Sequence, residues 1–339
     1  MRAVTHTQTG EPSVLALRDL PVPEPGPGEV RVRLIVSGVN PTDWKNRRGA
    51  GPGQALPFPE VVPHQDGAGM VDSLGAGVTG LQVGQRVWVL LAAWQRPTGT
   101  AQEFAVLPAE RVVPLPDGAS YDVGASLGVP AVTAHRCLTV AEDGPERLHP
   151  GALAGRTVLV AGGAGAVGHA AIQLARWAGA TVVTTVSSPA KAALATAAGA
   201  HHVVDYTRGD TAAAVRAVAP DGVHLVVEVA PAQNAALDAA VAAQGATVAV
   251  YANNGGDAVT LGVRPLMMLN TRYQFVMLYT VRPQALAYAV EDVTAAAAAG
   301  VLAVGEEHGL PLHRYPLEQA GTAQAAVEGG AVGKVLIDL

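Results

Sequence analysis

The sequence predicts an α/β protein in which a β-rich part is followed by a doubly wound parallel sheet. Three observations lead to this fold class. Short strands with alternating apolar and polar residues fill the first third of the chain. From Arg156 onward, short apolar runs alternate with segments of helical spacing. A glycine-rich turn joins the first of these runs to the helix that follows it.

In the first third, the segment Glu29–Val36 (EVRVRLIV) alternates as expected of a strand with one buried face. Gly67–Leu74 and Gln85–Leu91 are predicted as further strands, and turns rich in glycine and proline, such as Pro23–Gly28, separate these segments from their neighbours. No long helical pattern competes with them. We therefore expect a β-rich domain in this part of the chain.

Beyond residue 156, predicted strands and helices alternate. Thr157–Ala161 (TVLVA) is a continuous apolar run, which is typical of a strand buried on both faces. His169–Ala178 has helical spacing and ends at Gly179, where a glycine can cap the helix. The further predicted strands are Thr181–Val186, His202–Val204, Val223–Val229, Thr247–Tyr251, Tyr273–Tyr279 and Gly333–Leu339. The further predicted helices are Pro189–Ala198, Ala212–Val218, Asn234–Ala243 and Pro283–Ala299. This alternation indicates βαβ units and a doubly wound sheet.

The composition excludes several classes of protein. The 339 residues carry 22 Lys and Arg against 28 Asp and Glu, a net charge of −6, so we expect no nucleic-acid partner. The single cysteine, Cys137, excludes a disulfide framework and a zinc site made only of cysteines. No apolar run reaches the ~20 residues that cross a bilayer, and no signal-peptide pattern opens the chain. We therefore expect a cytoplasmic protein without a membrane partner.

The turn after Thr157–Ala161 contains a G-x-G-x-x-G motif formed by Gly163, Gly165 and Gly168. A predicted strand precedes it and a predicted helix follows it, which is the context in which such glycines hold a dinucleotide pyrophosphate at a helix N-terminus. The alternative is a glycine-rich turn that binds no ligand. The residues assigned to the cofactor here are Gly163, Ala164, Gly165, Ala166, Val167 and Gly168.

The end of the second strand of this domain indicates which dinucleotide is bound. NAD sites usually carry an Asp or Glu about 20 residues after the glycines, where it holds the ribose 2′-hydroxyl. This chain has Ser187, Ser188 and Lys191 instead. Hydroxyls and an ammonium can bind a 2′-phosphate, so we expect NADP(H). The serines can also cap the helix that begins at Pro189, and both roles are compatible.

Four further segments are Gly38–Asp43 (GVNPTD), Pro63–Gly69 (PHQDGAG), Gly128–Ala134 (GVPAVTA) and Gly330–Ile337 (GAVGKVLI). In this order they resemble motifs of the medium-chain dehydrogenase/reductase superfamily, in its zinc-independent quinone oxidoreductase branch, which includes zeta-crystallin. The resemblance covers essentially the whole chain, although His64 stands where glycine is usual. It implies a GroES-like catalytic domain, residues 1–128 and 280–339, and a Rossmann dinucleotide-binding domain, residues 129–279.

The zinc alcohol dehydrogenases resemble this chain in layout, but their zinc ligands are missing here. Asn40 stands in the place of their cysteine and Gln65 in the place of their histidine. Side-chain amides are poor substitutes for thiolate and imidazole on Zn²⁺, so we expect no metal. Without a metal to stabilise an alkoxide, the acceptor of a hydride must already be electrophilic.

The resemblance also implies individual roles. Asn40, Asp43 and Thr133 are the candidate catalytic residues, with Thr133 at the nicotinamide carboxamide. The alternative for Asn40 is a turn-stabilising role before a proline, and for Asp43 a structural role. Lys45 stands where relatives carry a cofactor-contacting tyrosine. The other residues implied to bind the cofactor are Lys191 and Tyr206 at the 2′-phosphate, and Val250, Tyr251, Asn253, Phe275, Val276 and Met277 at the nicotinamide half.

The leading functional hypothesis is NADPH-dependent hydride transfer to a quinone. Its alternatives are reduction of an enone or alkenal double bond, and a nucleotide-binding protein with little turnover that serves structure or regulation. Tyr251 and His64 are candidate proton donors, with solvent as the alternative. Relatives pair through an edge strand of the nucleotide domain, so we expect a homodimer formed through Tyr273–Tyr279.

Overall fold

The structure is a computed structural model that describes residues 1–49, 51 and 53–339. The strands are β1 (Arg2–Thr5), β2 (Ala16–Asp19), β3 (Glu29–Val39), β4 (Asp66–Leu74), β5 (Arg86–Val89), β6 (Phe104–Pro108), β7 (Val112–Pro114), β8 (Thr157–Ala161), β9 (Thr181–Val186), β10 (His202–Asp205), β11 (Val223–Glu228), β12 (Ala242–Val250), β13 (Arg272–Phe275), β14 (Leu312–Pro316) and β15 (Lys334–Asp338). The α-helices are α1 (Pro41–Arg48), α2 (Tyr121–Ser126), α3 (Val132–Leu138), α4 (Ala166–Trp177), α5 (Pro189–Ala197), α6 (Thr211–Val218), α7 (Pro231–Val241), α8 (Val263–Leu269), α9 (Pro283–Ala298) and α10 (Ala320–Glu328).

The chain divides into two units. The first unit comprises Met1–Val129 and Pro311–Leu339, and the second comprises Pro130–Leu310. The expected boundary at residue 280 is therefore 31 residues too early, because α9 belongs to the second unit. The reason is a buried polar contact: His135 of α3 and the Asp292 carboxylate of α9 lie 2.8 Å apart.

Asp292 also accepts hydrogen bonds from Arg147 Nε (2.8 Å) and from the Leu148 backbone N–H (2.7 Å). Burial alone acts to raise the pKa of Asp292, but the hydrogen bonds from His135, Arg147 and Leu148 outweigh it and hold the pKa at about 2. A carboxylate bound in this way ties α9 to α3 within the second unit, and no local sequence pattern reveals such a pairing.

The second unit contains the doubly wound sheet that the sequence predicts. Among the described residues, its strands follow the order β10-β9-β8-β11-β12-β13, and all five pairings are parallel. The order reverses between β8 and β11, and the carboxyl ends beside such a reversal are where open α/β sheets bind ligands. Apolar side chains of neighbouring strands, such as Leu159, Val183, Val226 and Val248, form the core of this unit.

Four predicted elements of this unit differ from the structure by three residues or more at one end. The predicted helix Asn234–Ala243 is α7, Pro231–Val241, and the predicted strand Thr247–Tyr251 begins five residues earlier, at Ala242. Helix α4 begins at Ala166, three residues before the predicted start, because the helix begins directly at the glycine turn. The predicted strand Tyr273–Tyr279 is only Arg272–Phe275, since its partner β12 ends at Val250. One more backbone bond follows, from the N–H of Val276 to the carbonyl of Val250, before the chain leaves the sheet.

The first unit is β-rich, as predicted. Among its described residues, the main sheet follows the order β14-β15-β3-β4-β5-β7, β6 also pairs with β3, and β1 pairs with β2 in a separate sheet. Strand β3 extends three residues beyond the predicted end and continues to Val39. Alternate residues of β3, namely Val30, Val32 and Leu34, point into the core together with Val71 and Val87. The last strand, β15, lies between β14 and β3 in the main sheet.

Within residues 1–49, 51 and 53–339, none of the helices is both long enough and apolar enough to pass through a bilayer.

Candidate active site

In the second unit, the glycine turn lies between β8 and α4. The backbone N–H of Gly165 donates to the carbonyl of Gly162 (3.0 Å), and Gly165 is the N-cap of α4. The first backbone N–H groups of a helix have no partner within the helix, and they carry its positive dipole end. This end of α4 is therefore suited to bind an anion at the carboxyl edge of the sheet.

The three motif glycines are needed for different reasons. A Cβ on Gly163 would lie 2.1 Å from Thr184 Oγ1, and one on Gly168 would lie 2.4 Å from the carbonyl oxygen of Gly162, so both are required by packing. A Cβ on Gly165 would meet only the carbonyl oxygen of Gly162, at 3.5 Å, and its φ of −83° suits any residue. Packing within the described chain does not require glycine at 165. A pyrophosphate lying against the backbone would require it, because a side chain would occupy the same space. The turn therefore fits a dinucleotide.

The residues expected at the 2′-phosphate lie at the ends of the next two strands. Ser187 Oγ accepts a hydrogen bond from Lys191 Nζ at 2.9 Å, and Ser188 Oγ accepts one from the backbone N–H of Lys191 at 3.3 Å. Ser188 thus caps α5, as the alternative interpretation of the serines predicted. Tyr206, just after β10, is 52% exposed. Because β10, β9 and β8 are neighbours, the sheet brings these residues to the same edge as the glycine turn.

The residues expected at the nicotinamide half follow strands on the other side of the reversal. Val250 ends β12 and is buried, Tyr251 is half-buried and Asn253 is exposed. Burial raises the pKa of Tyr251, so that its hydroxyl stays protonated. Phe275 and Met277 are 65% and 61% exposed, and Val276 is half-buried.

Thr133 is 6% exposed and lies near the start of α3, which contacts β11 and β12. The structure therefore gathers the predicted cofactor residues of the second unit beside one sheet, on two sides of its reversal.

Sequence reasoning missed a buried acid pair in this unit. Glu228 ends β11 and Asp238 lies on α7, and both are almost completely buried. Burial, aided by the nearby Glu228, raises the pKa of Asp238 to about 8, and burial also raises the pKa of Glu228. The pair thus retains a proton at neutral pH. The one sequence signal was a glutamate inside the apolar run Val223–Val229.

In the first unit, the motif residues Asn40 and Asp66 surround the ammonium group of Lys334, which is 1% exposed. Lys334 Nζ donates to Asn40 Oδ1 (2.8 Å) and to the carbonyl of Val39 (3.2 Å), and lies 3.6 Å from Asp66 Oδ2. Asp66 accepts hydrogen bonds from Asn40 Nδ2 (2.7 Å) and from the backbone N–H of Val129 (2.9 Å). We call Lys334, Asp66 and Asn40 the lysine cluster.

Burial disfavours both charges of the lysine cluster. It raises the pKa of Asp66 and lowers that of Lys334, while each charge opposes the shift of the other. The amide oxygen and the amide nitrogen of Asn40 are both engaged inside the cluster. Its backbone N–H donates to Asp43 Oδ2 (2.7 Å), three residues into α1, as in a capping box. The geometry thus favours the turn-stabilising interpretation of Asn40.

A cavity of about 510 Å³ opens beside the start of α1 in the first unit. Part of its wall is apolar and comes from Leu56, Phe58, Val61 and Trp94. Polar side chains in the remaining wall include Asp43, Lys45, His6, His64, Gln65 and Arg96. Of the predicted catalytic residues, Asp43 lines this cavity. Sequence reasoning missed the apolar wall because these residues come from loops without periodicity.

His64 lines the cavity and has a left-handed backbone, with φ +80°, a conformation that favours glycine. Its Nδ1 lies 3.1 Å from Ser37 Oγ and its Nε2 lies 3.1 Å from Gln324 Nε2. Burial, reinforced by the charge of Lys334, lowers the pKa of His64 to about 3. A neutral ring with both nitrogens engaged is a poor proton donor, so the surroundings of His64 disfavour the donor role expected for it.

Among residues 1–49, 51 and 53–339, no three His, Cys, Asp or Glu side chains come together as they would around a metal ion. Gln65, which stands in the place of a zinc-binding histidine of the alcohol dehydrogenases, accepts a hydrogen bond from the backbone N–H of Ala93 at 3.2 Å.

Two family models match the chain. The model described as the alcohol dehydrogenase GroES-like domain matches residues 26–117, and the model described as zinc-binding dehydrogenase matches residues 166–295. The first match lies in the β-rich unit and the second in the unit with the parallel sheet. The predicted fold class, a GroES-like domain with a Rossmann domain, is therefore confirmed.

Several relatives and solved structures are similar to this chain over 64–100% of its length. A quinone oxidoreductase from Rattus norvegicus is 30% identical over 346 residues, 99% of this chain and 97% of the rat protein. A 2-haloacrylate reductase from Burkholderia sp is 33% identical over 220 residues, 64% of this chain and 62% of that protein. A mycobacterial protein complexed with NADPH has a TM-score of 0.81 with 29% identity, and a structure described as an NAD-dependent alcohol dehydrogenase has a TM-score of 0.83 with 28% identity. Each of these two similarities covers 100% of this chain and 100% of the chain of the solved structure.

The lysine cluster predicts the effect of Lys334→Met on stability. The change leaves Asp66 buried without a neighbouring cation, and breaking a buried ion pair in this way costs about 3–5 kcal/mol. We expect the free energy of unfolding of the first unit to fall by about this amount in urea titrations followed by tryptophan fluorescence. Three of the four tryptophans, Trp44, Trp88 and Trp94, belong to this unit. Adding Asp66→Asn should restore part of the loss, and a loss below about 1 kcal/mol in the single variant would contradict the interpretation.

The glycine turn predicts opposite effects for two substitutions. Gly165→Asp keeps a good N-cap but places a carboxylate where the pyrophosphate is expected, so NADPH affinity should fall by about 100-fold while the melting temperature is preserved. Gly163→Ala should instead lower the stability by about 1–3 kcal/mol, because its Cβ overlaps Thr184. Fluorescence titration with NADPH and thermal unfolding distinguish the two. Unchanged NADPH affinity in Gly165→Asp would refute the assigned site.

Proposed function

Because the chain belongs to the medium-chain dehydrogenase/reductase superfamily, among its quinone oxidoreductases, we propose that it is a zinc-independent, NADPH-dependent reductase of quinones. The observation that carries the proposal is the turn between β8 and α4, where a Cβ at Gly165 would meet only the carbonyl oxygen of Gly162, at 3.5 Å, so that the backbone beside the N-terminal end of α4 is open to an anion. The chain is an oxidoreductase by its family; the cofactor form and the acceptor are what we propose.

The second unit binds the dinucleotide in this proposal. The N-terminal end of α4 holds the pyrophosphate, and Ser187, Lys191 and Tyr206 bind the 2′-phosphate. The hydroxyl of Ser187 and the ammonium of Lys191 already lie 2.9 Å apart, which supports a shared phosphate ligand. The similarity to a structure complexed with NADPH agrees with this preference.

The bound nicotinamide supplies a hydride. The chain orients that half of the cofactor, with Thr133 at the carboxamide. The other residues proposed for this task are Val250, Tyr251, Asn253, Phe275, Val276 and Met277.

The lysine cluster supports a reaction without zinc. Where zinc alcohol dehydrogenases have a cysteine, this chain has Asn40, and Lys334 and Asp66 engage both polar atoms of its amide. The site therefore has no thiolate to offer a metal, and a buried ammonium is already present. A substrate that depends on a Lewis acid is disfavoured, whereas a quinone accepts hydride without one.

The cavity of the first unit is where we propose that the acceptor binds. Its wall of Leu56, Phe58, Val61 and Trp94 suits a flat apolar molecule, and two aromatic rings can stack on a quinone. In this arrangement Asn40 has an indirect role, through the lysine cluster at the start of α1. Asp43 is the predicted catalytic residue that lines the cavity.

A second candidate acceptor is a double bond activated by a carbonyl or carboxyl group. The similarity to a 2-haloacrylate reductase favours it, and so does an acidic side chain in the cavity wall, because reduction of a carbon–carbon double bond requires a proton on carbon.

We also propose that two copies of the chain pair through the outer edge of the parallel sheet. Strand β13 is an edge strand, and its neighbourhood exposes Val263, Met267, Met268, Phe275 and Met277 by 61–69% each. An apolar edge of this kind is usually covered, and a second copy of the same strand can cover it across a two-fold axis.

Light scattering of the purified chain should give the mass of a dimer, and Phe275→Lys should give the mass of a monomer. A monomer without the substitution would refute the pairing.

The proposed function predicts the outcome of one panel of assays. Oxidation of NADPH with naphthoquinones, enones and alkenals is measured with and without a chelator, and NADH is the matched control donor. We expect turnover with a quinone, a preference for NADPH of at least about tenfold in kcat/KM, and no effect of the chelator. A preference for NADH would refute the cofactor assignment. Tight NADPH binding without turnover would favour a structural or regulatory nucleotide-binding protein.

A further inference from the structure

We propose that Asp43 is the proton donor of the cavity, and that it protonates the carbon next to the activating group of a reduced alkene. The inference rests on the proposed function, because the hydride comes from the reduced dinucleotide. It extends that function to a specific acid and to a substrate class whose reduction needs one.

The geometry places Asp43 at the border between a polar cluster and the cavity. Asp43 is one of the residues that line the cavity, although it is only 3% exposed. Oδ2 accepts the backbone N–H of Asn40 at 2.7 Å, which fixes the carboxyl group at the first turn of α1. A held acid of this kind is the arrangement that general acid catalysis requires.

The surroundings keep this acid protonated at neutral pH. Burial raises the pKa of Asp43 to about 8, the Asp66 carboxylate adds to the rise, and the hydrogen bond from Asn40 and the charge of Lys334 oppose it. Other titratable or charged side chains of the same cavity wall are Lys45, His6, His64 and Arg96. A carboxylic acid poised close to the working pH is an effective donor.

The histidines of the wall are poor alternatives. Both ring nitrogens of His64 are engaged and its pKa is lowered to about 3. His6 Nδ1 lies 3.1 Å from the carbonyl oxygen of Gln8, so its proton is held by the backbone and Nε2 is left without one. Burial also lowers the pKa of His6. Asp43 is thus the acidic side chain of the described wall that has a proton to give.

Reduction of the alkene forms two C–H bonds. The hydride comes from the reduced dinucleotide, which is oxidised, and forms a C–H bond at the β-carbon while the π electrons of the double bond move to the activating group. This electron pair then returns to the α-carbon and takes up a proton there. The Asp43 O–H bond breaks, its proton forms a C–H bond at the α-carbon, and Asp43 is left as a carboxylate. Water returns a proton to it before the next turnover. A reduced quinone instead carries its charge on oxygen, which solvent protonates readily, so quinone reduction depends less on this acid.

The variant Asp43→Asn tests the assignment. Asparagine has the shape of the protonated acid, and its Oδ1 can accept the Asn40 N–H, but it has no acidic proton. We expect the kcat for an enone to fall by about 10²–10⁴-fold, as for loss of a general acid, and the quinone rate to fall by less than about tenfold. Equal losses for both acceptors would indicate a structural role and overturn the proposal.

The pH profile gives a second readout. The enone rate of the unmodified chain should decline as the pH rises through about 8, since the donor is then ionised. The decline should be absent in Asp43→Asn. The matched control Lys45→Met removes a charge from the same wall and should retain the decline near pH 8. A decline that survives in Asp43→Asn would overturn the proposal.

Infrared difference spectra separate this inference from the proposed function. The spectrum of the unmodified chain minus that of Asp43→Asn at pH 7 should show the carbonyl band of a protonated carboxylic acid, and this band should disappear above about pH 8. An ionised Asp43 at pH 7 would overturn the donor assignment whatever the acceptor. Absence of turnover with every acceptor, with the acid band present, would instead overturn the proposed function.

Discussion

The ammonium group of Lys334 determines how the first unit is organised around its cavity. It joins three neighbouring strands, because it belongs to β15, binds the end of β3 through Val39 and Asn40, and faces Asp66 at the start of β4. Asn40 is in turn the N-cap of α1, so the position of Asp43 follows from the same cluster. A charge buried this deeply is tolerated only because each of its neighbours is a polar partner.

The cluster also places two carboxyl groups in different surroundings. Asp66 has the ammonium of Lys334 and two hydrogen-bond donors beside it, whereas Asp43 has one backbone donor and lies at a cavity whose wall is partly apolar. Burial raises the pKa of both carboxyl groups, and the charge of Lys334 opposes the rise in each.

The sequence predicted those parts of the structure that depend on local pattern. The strand β8, its glycine turn and α4 follow from neighbouring residues, and so does the capping of α5 by Ser188. The end of the second unit at residue 310 could not be predicted from local pattern, because α9 is held by Asp292 and His135, which are 157 residues apart in the chain. The burial of Lys334 was equally hidden, since a lysine in a strand is ordinarily exposed and only the folded sheet shows its partners. The cavity is assembled from loops around residues 6, 43, 58, 64 and 94, which have no common periodicity.

The place of β15 in the main sheet has a consequence for the order in which the chain folds during synthesis. The second unit is one continuous stretch, Pro130–Leu310, and can form while the remaining residues are still being made. The first unit cannot be finished then, because β15 must enter between β14 and β3 and bring Lys334 to Asn40 and Asp66. Until that strand arrives, the end of β3 keeps an unpaired edge and Asp66 lacks its counter-ion, so this unit is the one that a nascent chain must protect longest.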